Sequence, residues 1–124
     1  MKFTNILLWV QENKISEKFF KKLGFKATIS TDAYSEIQLG DFKITLVNMR
    51  DEDEFSGDSL SGAKGKGIYI YMKVTDVDQE YNRQINLGLK PTSKPRNWEW
   101  GNREFILKDL DGYKLCFWQP INNK

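Results

Sequence analysis

Slid along itself by 64 residues, the sequence meets its own copy. Val10 falls on Val74, Leu23 on Leu87, Gly24 on Gly88 and Lys26 on Lys90, without a gap. Ile6 lands on Ile70, Leu8 on Met72, Glu12 on Asp76 and Phe25 on Leu89. Near the end of each half the match resumes at an offset of 71, with Phe42-Lys43-Ile44-Thr45-Leu46 over Tyr113-Lys114-Leu115-Cys116-Phe117. The change of offset puts about seven extra residues in the second half, between Lys90 and Tyr113. Such a repeat constrains the fold more than any single motif, because each half must adopt the same supersecondary unit. A chain of 124 residues has room for one domain. The expectation is therefore a single domain of two modules, about 1–49 and 67–124, joined by the polar stretch 50–66.

Each half reads as strand, helix, then three strands. Residues 3–10 are apolar and strand-like, and 14–24 read as a helix with Ile15, Phe19 and Leu23 on one face. Asn13 is the expected cap and Gly24 the stop, since glycine adopts a left-handed conformation without steric penalty. Strands are expected near 25–31, 34–40 and 42–49, with Gly40-Asp41 as a turn. The second half predicts a strand over 68–74 and a helix over about 77–87, capped by Asp76 and facing inward with Val77, Tyr81 and Ile85. Strands near 89–93, 102–109 and 113–119 follow, the last two joined by an Asp111-Gly112 turn. Under the 64-residue shift these two apolar helix faces do not coincide.

Composition narrows the chemistry. Nineteen Lys and Arg against seventeen Asp and Glu leave +2, too even for an electrostatic footprint for nucleic acid or an anionic membrane. The chain has no histidine, which removes His-based triads and imidazole metal sites. Cys116 is the one cysteine, so an intrachain disulfide is impossible, and without a His to activate it an inert buried thiol is expected. No apolar run reaches the length of a membrane span, and Ile6 to Val10 is too short for a signal peptide. The expectation is a cytoplasmic protein. The acidic run Asp51 to Glu54 lacks the spacing of a calcium loop, and Gly57, Gly62, Gly65 and Gly67 do not form a phosphate loop.

Phe19-Phe20-Lys21-Lys22-Leu23-Gly24-Phe25 is similar to the FYxxLGF motif, and Arg103-Glu104-Phe105 with Asp109-Leu110-Asp111-Gly112-Tyr113 to the REF…DPDGY motif, of the glyoxalase/bleomycin-resistance/dihydroxybiphenyl-dioxygenase family, the vicinal oxygen chelate superfamily. Leu110 stands where that family usually has Pro. The resemblance implies an α+β fold in which two tandem βαβββ modules form an open eight-stranded pair of half-barrels around a ligand cavity. In the family's enzymes four inward side chains, two per module, bind a divalent metal. By the family pattern these positions fall at Asn5, Thr45, Tyr69 and Cys116, and the offsets 64 and 71 independently pair Asn5 with Tyr69 and Thr45 with Cys116. An amide, a hydroxyl and a neutral phenol are weak donors, so no metal and no other cofactor is expected. A slip of one residue would present Ile6, Leu46, Ile70 and Phe117, which bind none either.

Strand alternation names what lines the cavity instead. Asn5, Leu7 and Trp9 share a face, as do Lys43, Thr45 and Val47, Tyr69 and Tyr71, and Lys114, Cys116 and Trp118. The opposite faces carry Ile6, Leu8, Ile44, Leu46, Ile68, Ile70, Met72, Leu115 and Phe117 and are expected beneath the helices. The mixed aromatic and polar set is expected to bind a ligand; the plainer alternative is that its aromatics fill the barrel mouth. Pro91 to Gly101, with Trp98 and Trp100, lies where the extra residues must be, and reads as a lid or pocket wall, with a dimer contact or surface packing as alternatives. Of the adjacent pair Arg103 and Glu104 at most one faces a ligand, and Glu104 is the candidate. The expected function is metal-free binding of a small aromatic or cationic compound, an antibiotic or toxin, in the pocket of a homodimer. The alternatives are a lyase, isomerase or dioxygenase with atypical ligands or metal-free acid–base chemistry, and a protein-interaction module with a collapsed cavity.

Overall fold

A computed structural model describes residues 1–49 and 64–121. The chain divides into two compact units, Met1–Gly62 and Ala63–Lys124. The first holds β1 (Ile6–Val10), α1 (Asn13–Lys22), β2 (Lys26–Ser30), β3 (Tyr34–Leu39) and β4 (Phe42–Asn48). The second holds β5 (Tyr69–Lys73), α2 (Val77–Asn86), β6 (Arg96–Asn97), β7 (Asn102–Lys108) and β8 (Lys114–Pro120). Each is a βαβββ module with a four-stranded mixed sheet, ordered β1-β4-β3-β2 in one and β5-β8-β7-β6 in the other. The fold is α+β and neither sheet closes into a barrel. The stretch 50–63, with most of the expected linker, its acidic run, Gly57 and Gly62, lies outside the described residues.

The repeat is written into the strand register. Ile6 opposes Ile44 in the parallel pair β1–β4, and Ile70 opposes Leu115 in β5–β8. Those partners are 64 and 71 residues apart, the two offsets of the sequence match. The extra residues can also be placed. Crossing from the second to the third strand takes three steps in the first unit, Thr31 to Tyr34, and eight in the second, Arg96 to Glu104. Five of the seven therefore extend the β6–β7 hairpin. Another enters the following turn, where Gln38 to Lys43 becomes Lys108 to Lys114.

The helix faces differ from expectation for one reason. Ile15 and Ile85 are about half exposed, whereas Asn13, Glu17 and Phe20 of α1 and Val77 and Gln84 of α2 are buried. The inward positions of the two helices do coincide at the 64-residue shift: Asn13 with Val77, Glu17 with Tyr81, Phe20 with Gln84. The residue types have been exchanged. Under α1, the Glu17 carboxylate accepts from the hydroxyls of Ser30 (2.6 Å) and Ser35. Burial alone would raise the Glu17 pKa, but those hydroxyls with Lys14 and Lys21 hold it below its ordinary value. In the second unit the same two layers hold Tyr81 edge-on to Phe105, 5.3 Å between centroids, with Phe105 stacked on Phe117 at 5.2 Å. The first unit regains apolar bulk from Phe20, fully buried and edge-on to Phe19 and Phe25. Burying one such ring contributes about 2–3 kcal/mol.

Asn13 is not the cap of α1. It is the first helical residue, and its side-chain amide donates to the Thr31 carbonyl and the Ser35 hydroxyl, both at 2.8 Å. The Asn13 backbone N–H is instead satisfied by Oδ1 of Asn48 at 2.7 Å. In the second unit Oε1 of Gln119 accepts from the Val77 N–H at 2.6 Å. Asn48 and Gln119 are repeat mates at the end of the last strand, so both modules cap the helix from across the sheet. Asp76 also caps α2 as expected, accepting from the Gln79 N–H at 3.1 Å.

Two strand expectations are corrected. Residues 89–93 form no strand: Pro91 and Pro95 lack an N–H and interrupt the edge, leaving a Thr92 N–H bond to the Ile106 carbonyl and the short β6 further on. Ile68 precedes β5 and is 55% exposed rather than packed under a helix. Of the other positions expected beneath the helices, Leu8, Ile44, Leu46, Ile70, Leu115 and Phe117 are buried, and Ile6 and Met72 are partly so.

Candidate functional site

The extended β6–β7 hairpin and the face of β5, β7 and β8 together form a concavity of about 590 Å³. Its walls are aromatic. Trp98 and Trp100, two residues apart in the hairpin, stack with centroids 4.7 Å apart and planes 11° from parallel. The Arg96 guanidinium lies 3.6 Å over the Trp98 ring. A guanidinium that close and a stacked indole cannot share one face, so Trp98 is held between Arg96 and Trp100. Tyr69 and Tyr71 complete the wall from β5, and Phe105, Ile106, Ser93, Lys94 and Pro95 contribute the remainder.

Glu104 is the polar centre of this wall. It sits on β7 one residue after Arg103, so the pleat sends the two side chains to opposite sides. Arg103 goes outward to a two-bond ion pair with Asp78, 2.9 Å each, which holds the Asp78 carboxyl below its ordinary value and raises the guanidinium. Glu104 goes inward and is 5% exposed. Its Oε1 accepts from the Tyr71 hydroxyl and the Cys116 thiol, both at 3.3 Å. Its Oε2 accepts from the Trp100 indole N–H and the Asn102 amide, both at 3.1 Å. No ion pair among the described residues involves it.

The two groups beside Glu104 are held protonated. Burial, then the neighbouring thiol and carboxylate, pushes the Tyr71 phenol up to about 12. Burial and the hydrogen bond to Glu104 push the Cys116 thiol up to about 12. Cys116 is thus a donor to the carboxylate rather than a nucleophile.

Six of the expected site residues meet here: Tyr69, Tyr71, Trp98, Trp100, Glu104 and Cys116. Trp118 shares their strand face but lies outside the concavity, half-buried beneath the Lys73 ammonium at 5.5 Å. Asn5, Leu7, Trp9, Thr45 and Val47 belong to the first unit. There Leu7 opposes Thr45, Trp9 opposes Val47, and the Asn5 amide donates to the Thr45 hydroxyl at 2.8 Å. Asn102 was not anticipated, although it lies two residues from Glu104 on the same strand face. Arg96 was not anticipated either; its place beside two tryptophans in the insertion is the available signal.

The positions that the resemblance assigns to a metal do not suit one. Thr45 already receives the Asn5 amide, and the Cys116 sulfur carries its proton toward Glu104. Tyr69 lies beneath the Lys114 ammonium, 5.1 Å from its ring centre, a position that repels a second cation. Among the described residues no three His, Cys, Asp or Glu side chains group as ligands.

A model of the Glyoxalase/Bleomycin resistance protein/Dioxygenase superfamily matches residues 2–117. The chain belongs to this superfamily. Within it, protein YraH of Bacillus subtilis (strain 168) is 30% identical over 118 residues, covering 90% of this chain and 92% of YraH. The chain spans only 34–38% of the length of the mycobacterial proteins it also matches. Among solved structures, protein SA1046 of S. aureus superposes with a TM-score of 0.81 at 26% identity, covering 95% of this chain and 93% of that one. A bleomycin-binding protein in complex with bleomycin superposes with a TM-score of 0.67 at 19% identity, covering 99% of this chain and all of its own. That likeness carries the superfamily fold. Among the described residues no helix is long and apolar enough to cross a membrane.

Proposed function

We propose that this superfamily member binds a small aromatic or cationic molecule in the concavity of its second unit without a metal, and that holding the molecule, an antibiotic or toxin, is its task. The observation that carries this reading is the pairing of a stacked indole wall with a buried carboxylate that no cation among the described residues neutralises. Aromatic faces supply apolar contact and, to a cation, about 0.5–2 kcal/mol each. The volume suits a drug-sized guest. The bleomycin-binding neighbour gives the analogy for sequestration. The groups a catalyst would call on are poorly armed, since Tyr71 and Cys116 both hold their protons to about pH 12. We place the protein in the cytoplasm as a homodimer, in keeping with the exposed Tyr69, Tyr71 and Trp100.

The test is thermal unfolding against a panel of aromatic, cationic and antibiotic compounds, with metal analysis of protein purified without chelator. A true ligand at a hundred times its Kd stabilises by about 2.7 kcal/mol. Stoichiometric bound metal, or turnover of any panel compound, would overturn the reading.

A further inference from the structure

The hydrogen bonds on Glu104 restrict which cation the pocket can take. A carboxylate offers about four lone-pair positions on its two oxygens. All four are used: Tyr71 and Cys116 on Oε1, Trp100 and Asn102 on Oε2. Every one of these donors is neutral, so they satisfy the oxygens without cancelling the charge. A guest beside Glu104 therefore meets a carboxylate charge that its donors do not cancel and no vacant lone pair on its oxygens.

We infer that the pocket takes a cation that carries its charge without N–H donors, a quaternary ammonium or an N-alkylated aromatic ring; this rests on the small-molecule reading above. A primary ammonium or a guanidinium would surrender hydrogen bonds to water on entering and find no lone pair on Glu104 to replace them. A quaternary centre has none to surrender. It gains the charge through space and the faces of Tyr71 and Trp100, each about half exposed in the wall. Trp98 serves as a buttress, since Arg96 and Trp100 cover its two faces. Lys94 and Arg96 also border the concavity and Lys114 stands over Tyr69, but Lys94 and Arg96 are exposed and Lys114 partly so, and water screens them. The Glu104 charge is buried and is screened far less.

Three probes of one shape test this by equilibrium dialysis: N-methylquinolinium, neutral methylnaphthalene and naphthylmethylammonium. The quaternary cation is expected to bind about tenfold tighter than either of the others, and Glu104→Gln to erase its advantage over the neutral compound. Tyr71→Phe keeps the ring and the charge but vacates one position on Oε1, so it is expected to raise the affinity of the primary ammonium several-fold relative to the quaternary probe. Should Glu104→Gln fail to fold, Tyr71→Phe carries the test. Equal binding of the neutral probe, or preference of the wild type for the primary ammonium, overturns the inference and leaves the binding reading intact. No binding by any probe overturns the inference as well, and the binding reading is then decided by the wider panel.

Discussion

Asp109 opens the turn from β7 to β8 with a carboxylate that is only half served. Its Oδ1 accepts from the backbone N–H of Asp111 at 3.0 Å and of Tyr113 at 2.8 Å. Its Oδ2 is buried without a hydrogen-bond partner. Burial outweighs the backbone bonds and lifts the carboxyl from 3.8 to about 6. The folded protein thus holds this proton more tightly than the unfolded chain. The associated stability is fully present below the unfolded value of 3.8 and is lost as the pH rises through about 6. A shift of about two units corresponds to about 3 kcal/mol, and at 7% exposure little of it is relieved by solvent. Asp109→Asn keeps the Oδ1 acceptor and removes the titration. Urea unfolding of both proteins, followed by tryptophan fluorescence from about pH 4 to about pH 8, isolates the residue and its coupling to Asp111, because titrating groups that do not interact with Asp109 cancel in the difference. The variant should gain on the wild type by about 2–3 kcal/mol across that range. Parallel stability curves would refute the reasoning.

Gln119→Ala leaves the Val77 N–H without its side-chain acceptor and should lower the unfolding free energy by about 1–2 kcal/mol in urea. Gly65 has φ of +82°, and an added Cβ would stand 2.8 Å from the Gly112 carbonyl oxygen and 2.9 Å from Tyr113 Cα, so Gly65→Ala should destabilise by at least about 2 kcal/mol, read as a fall in Tm. The Cys116 thiol should resist a disulfide-exchange reagent at about pH 8 in the native protein and react at once in denaturant; a native rate matching that of a free thiol would refute its assignment as a protonated donor.

The repeat and the buried strand faces were legible because both depend on local pattern. Ile44 stands between the polar Lys43 and Thr45, Leu115 repeats it 71 residues on, and the shift between offsets places the insertion. The helix faces were less so. Ile15 and Ile85 look like core by spacing, but α1 is turned toward Ser16 and Glu17, and the burial of Glu17 depends on the hydroxyls of Ser30 and Ser35, 13 and 18 residues away. The caps supplied by Asn48 and Gln119 were hidden for the same reason, since the acceptor and the helix it serves are 35 and 42 residues apart. Glu104 could be narrowed by the pleat to one of two residues. That four neutral donors converge on it could not, because they come from β5, β7, β8 and the hairpin.

The lengthened β6–β7 hairpin belongs to one copy of the ancestral unit and not to its twin. Its tip, from Trp98 to Gly101, lies past the last strand pair, yet the Trp100 indole ties it to the buried Glu104 beneath. The two units share one βαβββ frame, and this added loop, carried by one of them alone, is what makes their surfaces unlike.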